Sequence, residues 1–168
     1  MKTIPIEQVD GAYLYEIDRY EDHRGFFQEV YGPMRYWGFD IKQANISCSH
    51  KGVLRGMHVT NFAKLCMCVK GKLYDVVADI RPKSPTYLNW YGVWLRPEEP
   101  KQLFVPSGCA HGFFAAEDNT LLLYMQNGTY DPETEREINY LDPKLGIDWP
   151  ACSEYIVSDK DKAAKMLD

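Results

Sequence analysis

Glycine and proline recur through the middle of this chain at intervals too short for long helices. Gly52, Gly71, Pro82, Pro85, Pro97, Pro100, Pro106, Gly108, Gly128 and Pro132 cut it into pieces of strand length. Residues 72–81 read Lys-Leu-Tyr-Asp-Val-Val-Ala-Asp-Ile-Arg. Tyr74, Val76, Ala78 and Ile80 fall on one face and Asp75 and Asp79 on the other, the period of a half-buried strand. Residues 90–95, 102–105 and 120–125 read as further strands, rich in aromatic, aliphatic and branched side chains. Helical signals are few. Residues 33–37 form one candidate, ended by Gly38; residues 159–167 form a second, with Ser158 as N-cap and Asp161 three residues on. Many short strands with turns about every ten residues predict an all-β fold, a jelly-roll barrel with a few short helices, including one at the C-terminus. At 168 residues the chain has the length of one domain, spanning 1–168.

Charge and composition narrow the function classes. Nineteen Lys and Arg against 24 Asp and Glu leave a net charge of −5, which speaks against a general nucleic-acid binder. No apolar run reaches the roughly 18 residues of a membrane span, and the N-terminus lacks a signal-peptide core. Five cysteines, at 48, 66, 68, 109 and 152, are an odd number in a chain long enough to fold without disulfides. They read as reduced thiols of a cytoplasmic protein. Aromatic residues make up 14%, with 12 Tyr, a composition that suits strands and ligand pockets alike.

Several short patterns carry potential chemistry. Pro106-Ser-Gly-Cys-Ala-His111 has the form P-x-G-x-x-H and resembles the second motif of the cupin barrels. In metal-binding cupins an earlier H-x-H and a Glu complete the ligand set; the chain has no H-x-H, so the expectation is no metal and no cofactor. Alone, His111 reads as a barrel histidine hydrogen-bonded in the interior. Arg24-Gly25 and Arg55-Gly56 offer guanidinium groups suited to bidentate phosphate recognition, and each is otherwise a surface ion-pair partner. Gln43 and Asn45 alternate at strand spacing, so both amides face one side: a pocket, or the polar face of an edge strand.

These residues also occur in one order: Asp22-His-Arg-Gly-Phe-Phe27, Gly52-Val-Leu-Arg-Gly-Met-His58, Lys64-Leu65, residues 75–81, Ser84-Pro-Thr86, Pro106 to Phe113, Tyr124, Tyr130, Asp142 to Pro150 and Ser158-Asp-Lys-Asp161. The joint pattern resembles the dTDP-4-dehydrorhamnose 3,5-epimerase family over most of the chain. The resemblance implies a single cupin-like epimerase domain, metal-free and homodimeric, that inverts carbons beside the C4 ketone of a nucleotide-linked 6-deoxy sugar. A proton alpha to a ketone needs a base within hydrogen-bond reach, the enolate needs a cation or donor at its oxygen, and a second group must return a proton.

By that resemblance His58 is the base, Asp161 the carboxylate that orients it, Tyr124 the acid and Lys64 the group near the enolate oxygen. Arg24, Glu29, Gln43, Asn45 and Arg55 resemble residues that hold diphosphate, nucleobase and sugar, with His111 and Tyr130 in the pocket wall. Arg24 and its neighbours are expected from the partner subunit. Without the resemblance Asp161 reads as a capping-box carboxylate, Tyr124 as a core strand tyrosine and Lys64 as a solvated loop lysine. The chain departs from the family's rhamnose-pathway members in the short stretch Val59-Thr-Asn-Phe-Ala63, in Met125 and in Gly128-Thr129. Inversion at C3, at C5 or at both therefore stays open. So does a CDP-, UDP- or GDP-linked 4-keto hexose or heptose as substrate, and a sugar-binding cupin without turnover is the reading from another class.

Overall fold

Strands form where branched and aromatic side chains alternate between glycine and proline stops, and thirteen do so among the described residues. The computed structural model describes residues 1–168 apart from Pro33, Arg35 and Trp37. The helix expected at 33–37 lies outside the described residues. The strands are β1 (Lys2–Pro5), β2 (Tyr13–Glu16), β3 (Arg19–Asp22), β4 (Gly25–Gln28), β5 (Gln43–Ser49), β6 (Leu54–Val59) and β7 (Lys64–Lys70). They continue as β8 (Leu73–Ala78), β9 (Trp90–Leu95), β10 (Lys101–Val105), β11 (Ala110–Ala115), β12 (Thr120–Gln126) and β13 (Arg136–Glu137), and α1 (Asp159–Lys162) follows.

Two antiparallel sheets result, one of six strands in the order β1-β2-β10-β7-β12-β5 and one of five in the order β13-β6-β11-β8-β9. Among the described residues β3 and β4 pair only with each other. Leu14, Cys66, Leu103 and Leu122 of the larger sheet meet Leu73, Val77, Leu95 and Phe113 of the smaller one, and this is the core of the jelly roll.

The strand expected at 72–81 is shorter and is not half-buried. β8 stops at Ala78 because Asp79 turns away to hold Arg81 Nε at 2.9 Å and Thr86 Oγ1 at 2.6 Å. Both faces of β8 are covered. Val77 points into the intersheet core, while Val76 and Ala78 pack beneath Ile138, Leu145, Trp149 and Val157, which lie over the outer face of the five-stranded sheet. Asp75, expected on a wet face, is fully buried. The C-terminal helix is also shorter than 159–167. It ends at Lys162 because Ala164 O and Lys165 O turn to accept from Asn139.

One irregularity positions the site. His111 pairs with His58 and Phe113 with Arg55, so three steps along β6 match two along β11. The extra residue is a β-bulge. In a regular strand Arg55 and His58, three apart, would point to opposite faces. The bulge turns both into the same pocket. Gly56 makes it with φ +120°, in a place where a Cβ would meet Gly112 Cα at 2.6 Å and His111 O at 2.8 Å. Gly56→Ala therefore combines backbone strain with a backbone clash and is expected to cost about 2–5 kcal/mol. Urea unfolding checks it, and an unchanged midpoint would exclude the close approach.

Candidate active site

The two sheets open at one end around a cavity of about 720 Å³, large enough for a nucleotide-sized ligand. Its walls carry most of the residues singled out from the sequence. β12 contributes Tyr124 and Gln126, two apart and on one face, and β5 contributes Gln43 and Asn45 in register with them. The amides of Gln43 and Asn45 face the pocket and bond to each other at 2.9 Å. β6 supplies Arg55 and His58, β7 supplies Lys64 and β11 supplies His111. Tyr130 lines the mouth, half exposed, with its N–H donating to Gln43 Oε1 at 3.0 Å.

His58 is held by Asp161, 103 residues away in sequence. Nε2 lies 2.8 Å from Asp161 Oδ1, and Gly56 N–H donates to Oδ2 at 3.2 Å. Ser158 caps α1 by accepting from Asp161 N–H at 3.1 Å. The capping-box spacing is thus real, but the carboxylate is turned away from the cap and into the pocket. Burial works to raise the Asp161 carboxyl, and the His58 and Gly56 hydrogen bonds outweigh it and hold the group below its ordinary value. A carboxylate only accepts, so Nε2 carries the proton and Nδ1 presents its lone pair to the pocket. Glu135 Oε1 stands 4.0 Å from that Nδ1.

Opposite, Tyr124 belongs to the other sheet. Burial raises its phenol above the ordinary value, with the neighbouring Arg55 opposing, so the O–H stays protonated at neutral pH. Lys64, expected as a solvated loop lysine outside the resemblance, is buried, and burial lowers its ammonium. Its Nζ lies 5.9 Å from the Phe62 ring. The short β6–β7 connection that carries Phe62 is fixed: Thr60 Oγ1 donates to Phe62 O, and Ala63 N–H donates to Asn127 Oδ1 at 2.8 Å. Gly128 lies against it, where a Cβ would meet the Phe62 ring at 2.6 Å.

Arg24 and Glu29 are not brought to this pocket. Arg24 sits on the exposed β3–β4 hairpin, bonded to Asp22 Oδ2 at 2.5 Å, and Glu29 follows β4 outside the cavity wall. Three residues were not singled out as site residues. Glu135 and Lys160 line the pocket and pair at 3.3 Å, and neither sits in a pattern that marks it. Asp75 bonds His111 Nε2 at 2.7 Å from behind the wall. An acid between Leu73-Tyr74 and Val76-Val77-Ala78 is its one sequence signal, since unpaired acids are rarely buried.

The jelly roll and this pocket together define a cupin-like isomerase. The profile of the dTDP-4-dehydrorhamnose 3,5-epimerase family matches residues 7–168, and the chain belongs to that family. The dTDP-4-dehydrorhamnose 3,5-epimerase of Methanothermobacter thermautotrophicus is 38% identical over 168 residues, 95% of this chain and 91% of the relative. The crystal structure of a dTDP-6-deoxy-D-glucose-3,5-epimerase from Legionella pneumophila, in complex with dTDP-4-keto-L-rhamnose, superposes with a TM-score of 0.94. It is 39% identical and covers 98% of this chain and 92% of its own. A 3'-monoepimerase from Streptomyces bikiniensis, in complex with dTDP-quinovose, has a TM-score of 0.92 at 34% identity, covering 97% and 86%.

Asp161→Asn keeps the size of the side chain and removes the charge beneath His58. Turnover is expected to fall about 10²–10⁴-fold with little change in nucleotide affinity. Because its native pKa is depressed, Asp161 stabilises the fold above about pH 4 and loses that contribution as pH falls through the lower native value. The variant is expected to show a shallower loss of stability as pH falls below about 4 in denaturant titrations. An acid limb identical to that of the parent protein would contradict the pairing.

Proposed function

We propose that this protein inverts one or both carbons flanking the C4 ketone of a nucleotide-diphospho-4-keto-6-deoxy sugar, with dTDP as the carrier. The observation that carries the reading is the placement of base and acid on opposite sheets of one pocket, with a buried ammonium beside them. His58 Nδ1 takes the alpha proton, and the C–H electron pair moves toward the C4 oxygen to give an enolate. Lys64 sits where a cation lowers the energy of that oxygen. Tyr124 O–H then delivers a proton to the opposite face of the same carbon, which closes the inversion. The imidazolium formed on His58 is stabilised by Asp161, and both groups return to their starting forms by exchange with solvent.

Deuterium exchange tests this. In deuterated water with dTDP-4-keto-6-deoxyglucose, label is expected at C3, C5 or both by NMR. His58→Asn is expected to lower exchange at every position by about 10²–10⁴-fold. Tyr124→Phe is expected to retain proton removal while losing net inversion. No exchange with dTDP-, CDP-, UDP- or GDP-linked 4-keto sugars would leave a binding protein. Label at one carbon alone would assign the single-carbon reaction, which a Streptomyces relative 36% identical to this chain carries in its name as a 3-epimerase.

The same reading places Arg24 and Glu29 in the neighbouring site of a homodimer, in one epimerase domain per chain. Support comes from the β3–β4 hairpin, which leaves Tyr20, Phe26 and Phe27 at 59%, 60% and 68% exposure within one chain. Mixing Arg24→Ala with His58→Asn, each weak alone, is expected to restore about a quarter of the parent activity through mixed dimers with one intact site. Failure to complement, in a mixture shown to exchange subunits, would overturn the placement of Arg24 in the neighbouring site.

A further inference from the structure

Two phenylalanines and two tyrosines line the cavity, and three of the four are accounted for. Phe113 belongs to the core between the sheets, Tyr124 to the proton transfer and Tyr130 to the mouth. Phe62 remains. It is 7% exposed, yet among the described residues it joins none of the three apolar clusters. A buried aromatic ring outside every core cluster, set in a cavity wall, is placed to meet a ligand.

The ring is held where it stands. Ala63 N–H donates to Asn127 Oδ1 at 2.8 Å, and Asn127 N–H donates to Ala63 O at 3.3 Å, so the β6–β7 connection is clasped to the end of β12. Gly128 follows, and a Cβ there would meet Phe62 Cβ and Cδ1 at 2.6 Å. The ring therefore occupies the space that a side chain at 128 would take. The polar side chains beside it are engaged: Thr60 Oγ1 donates to Phe62 O, and Asn127 Oδ1 accepts from Ala63. A ligand group laid on the ring meets a fixed apolar surface.

Lys64 Nζ stands 5.9 Å from the centre of that ring. With the C4 oxygen at hydrogen-bond distance from Nζ, about 3 Å, the ring reaches a substituent one carbon away from C4. Two groups hold that position: the C3 hydroxyl and, on C5, carbon C6. An apolar ring suits a methyl group, whereas a hydroxyl laid on it gives up a hydrogen bond to water. We propose, resting on the epimerase reading of the same pocket, that Phe62 is the specificity-determining contact for C6 and makes the site take a 6-deoxy sugar in preference to one with a C6 hydroxyl. Phe62 carries no proton and moves none. It acts by shape and polarity, and Gly128 makes room for it.

The test compares three dTDP-linked 4-keto sugars on the full chain in deuterated water: 6-deoxyglucose, glucose with its C6 hydroxyl, and xylose, which has no C6. The readout is kcat/KM for deuterium incorporation, followed by NMR. The parent protein is expected to favour the 6-deoxy sugar over its 6-hydroxy counterpart about 10–100-fold, the range an apolar wall gives for one added hydroxyl or methylene. Phe62→Ala is expected to bring that ratio to within about threefold, and to slow the 6-deoxy sugar about fivefold more than the xylose. The ratio in the parent protein needs no variant, so it decides the matter even if Phe62→Ala fails to fold. Equal rates for the two hexoses in the parent protein, or an unchanged ratio in a folded Phe62→Ala, would overturn the assignment of Phe62 and leave the epimerase reading standing. No incorporation into any of the three sugars would overturn both.

Discussion

The close approach of β6 and β11 at Gly56 and Gly112 is the contact on which the site depends. It has room for two backbones and no side chain between them. The same bulge does three things. It turns Arg55 and His58 to one side, it brings His58 into register with His111, and it aims Gly56 N–H at Asp161. Without the added residue His58 would face away from the sheet that carries Tyr124.

Burial then sets the chemistry. Water is excluded from β7 and β12 where they face the smaller sheet, so Lys64 loses part of its hold on its proton and Tyr124 gains hold on its own. Asp161 moves the other way because its desolvation is outweighed by donors from His58, Gly56 and Ser158. Environment thus sets an ionised Asp161 beside His58, a buried Lys64 ammonium and a protonated Tyr124 phenol around one pocket, although none is unusual in isolation.

Much of the fold was legible. Strand β9 falls on the residues expected, and β10 and β12 differ from expectation by one residue at an end. Ser158 caps the helix as expected because N-cap chemistry is local. Burial was less legible. Asp75 and Lys64 look solvated in their own segments, and only the covering of both faces of β8 and the closing of the pocket make them interior. The family resemblance named His58, Lys64, Tyr124 and Asp161, and they share one pocket. Glu135, Lys160 and Asp75 escaped because their partners lie 25 to 36 residues away, beyond any periodicity.

The sequence by itself determined the all-β architecture, the turn positions and the candidate base, acid and cation. Alternation, glycine and proline act within a few residues and can be read from them. Only the tertiary structure decided which faces are dry, that a bulge puts Arg55 and His58 on one side, and that a capping-position carboxylate serves His58. Those outcomes depend on contacts between residues about a hundred positions apart, and burial, close backbone approach and pKa shifts exist only once such contacts form.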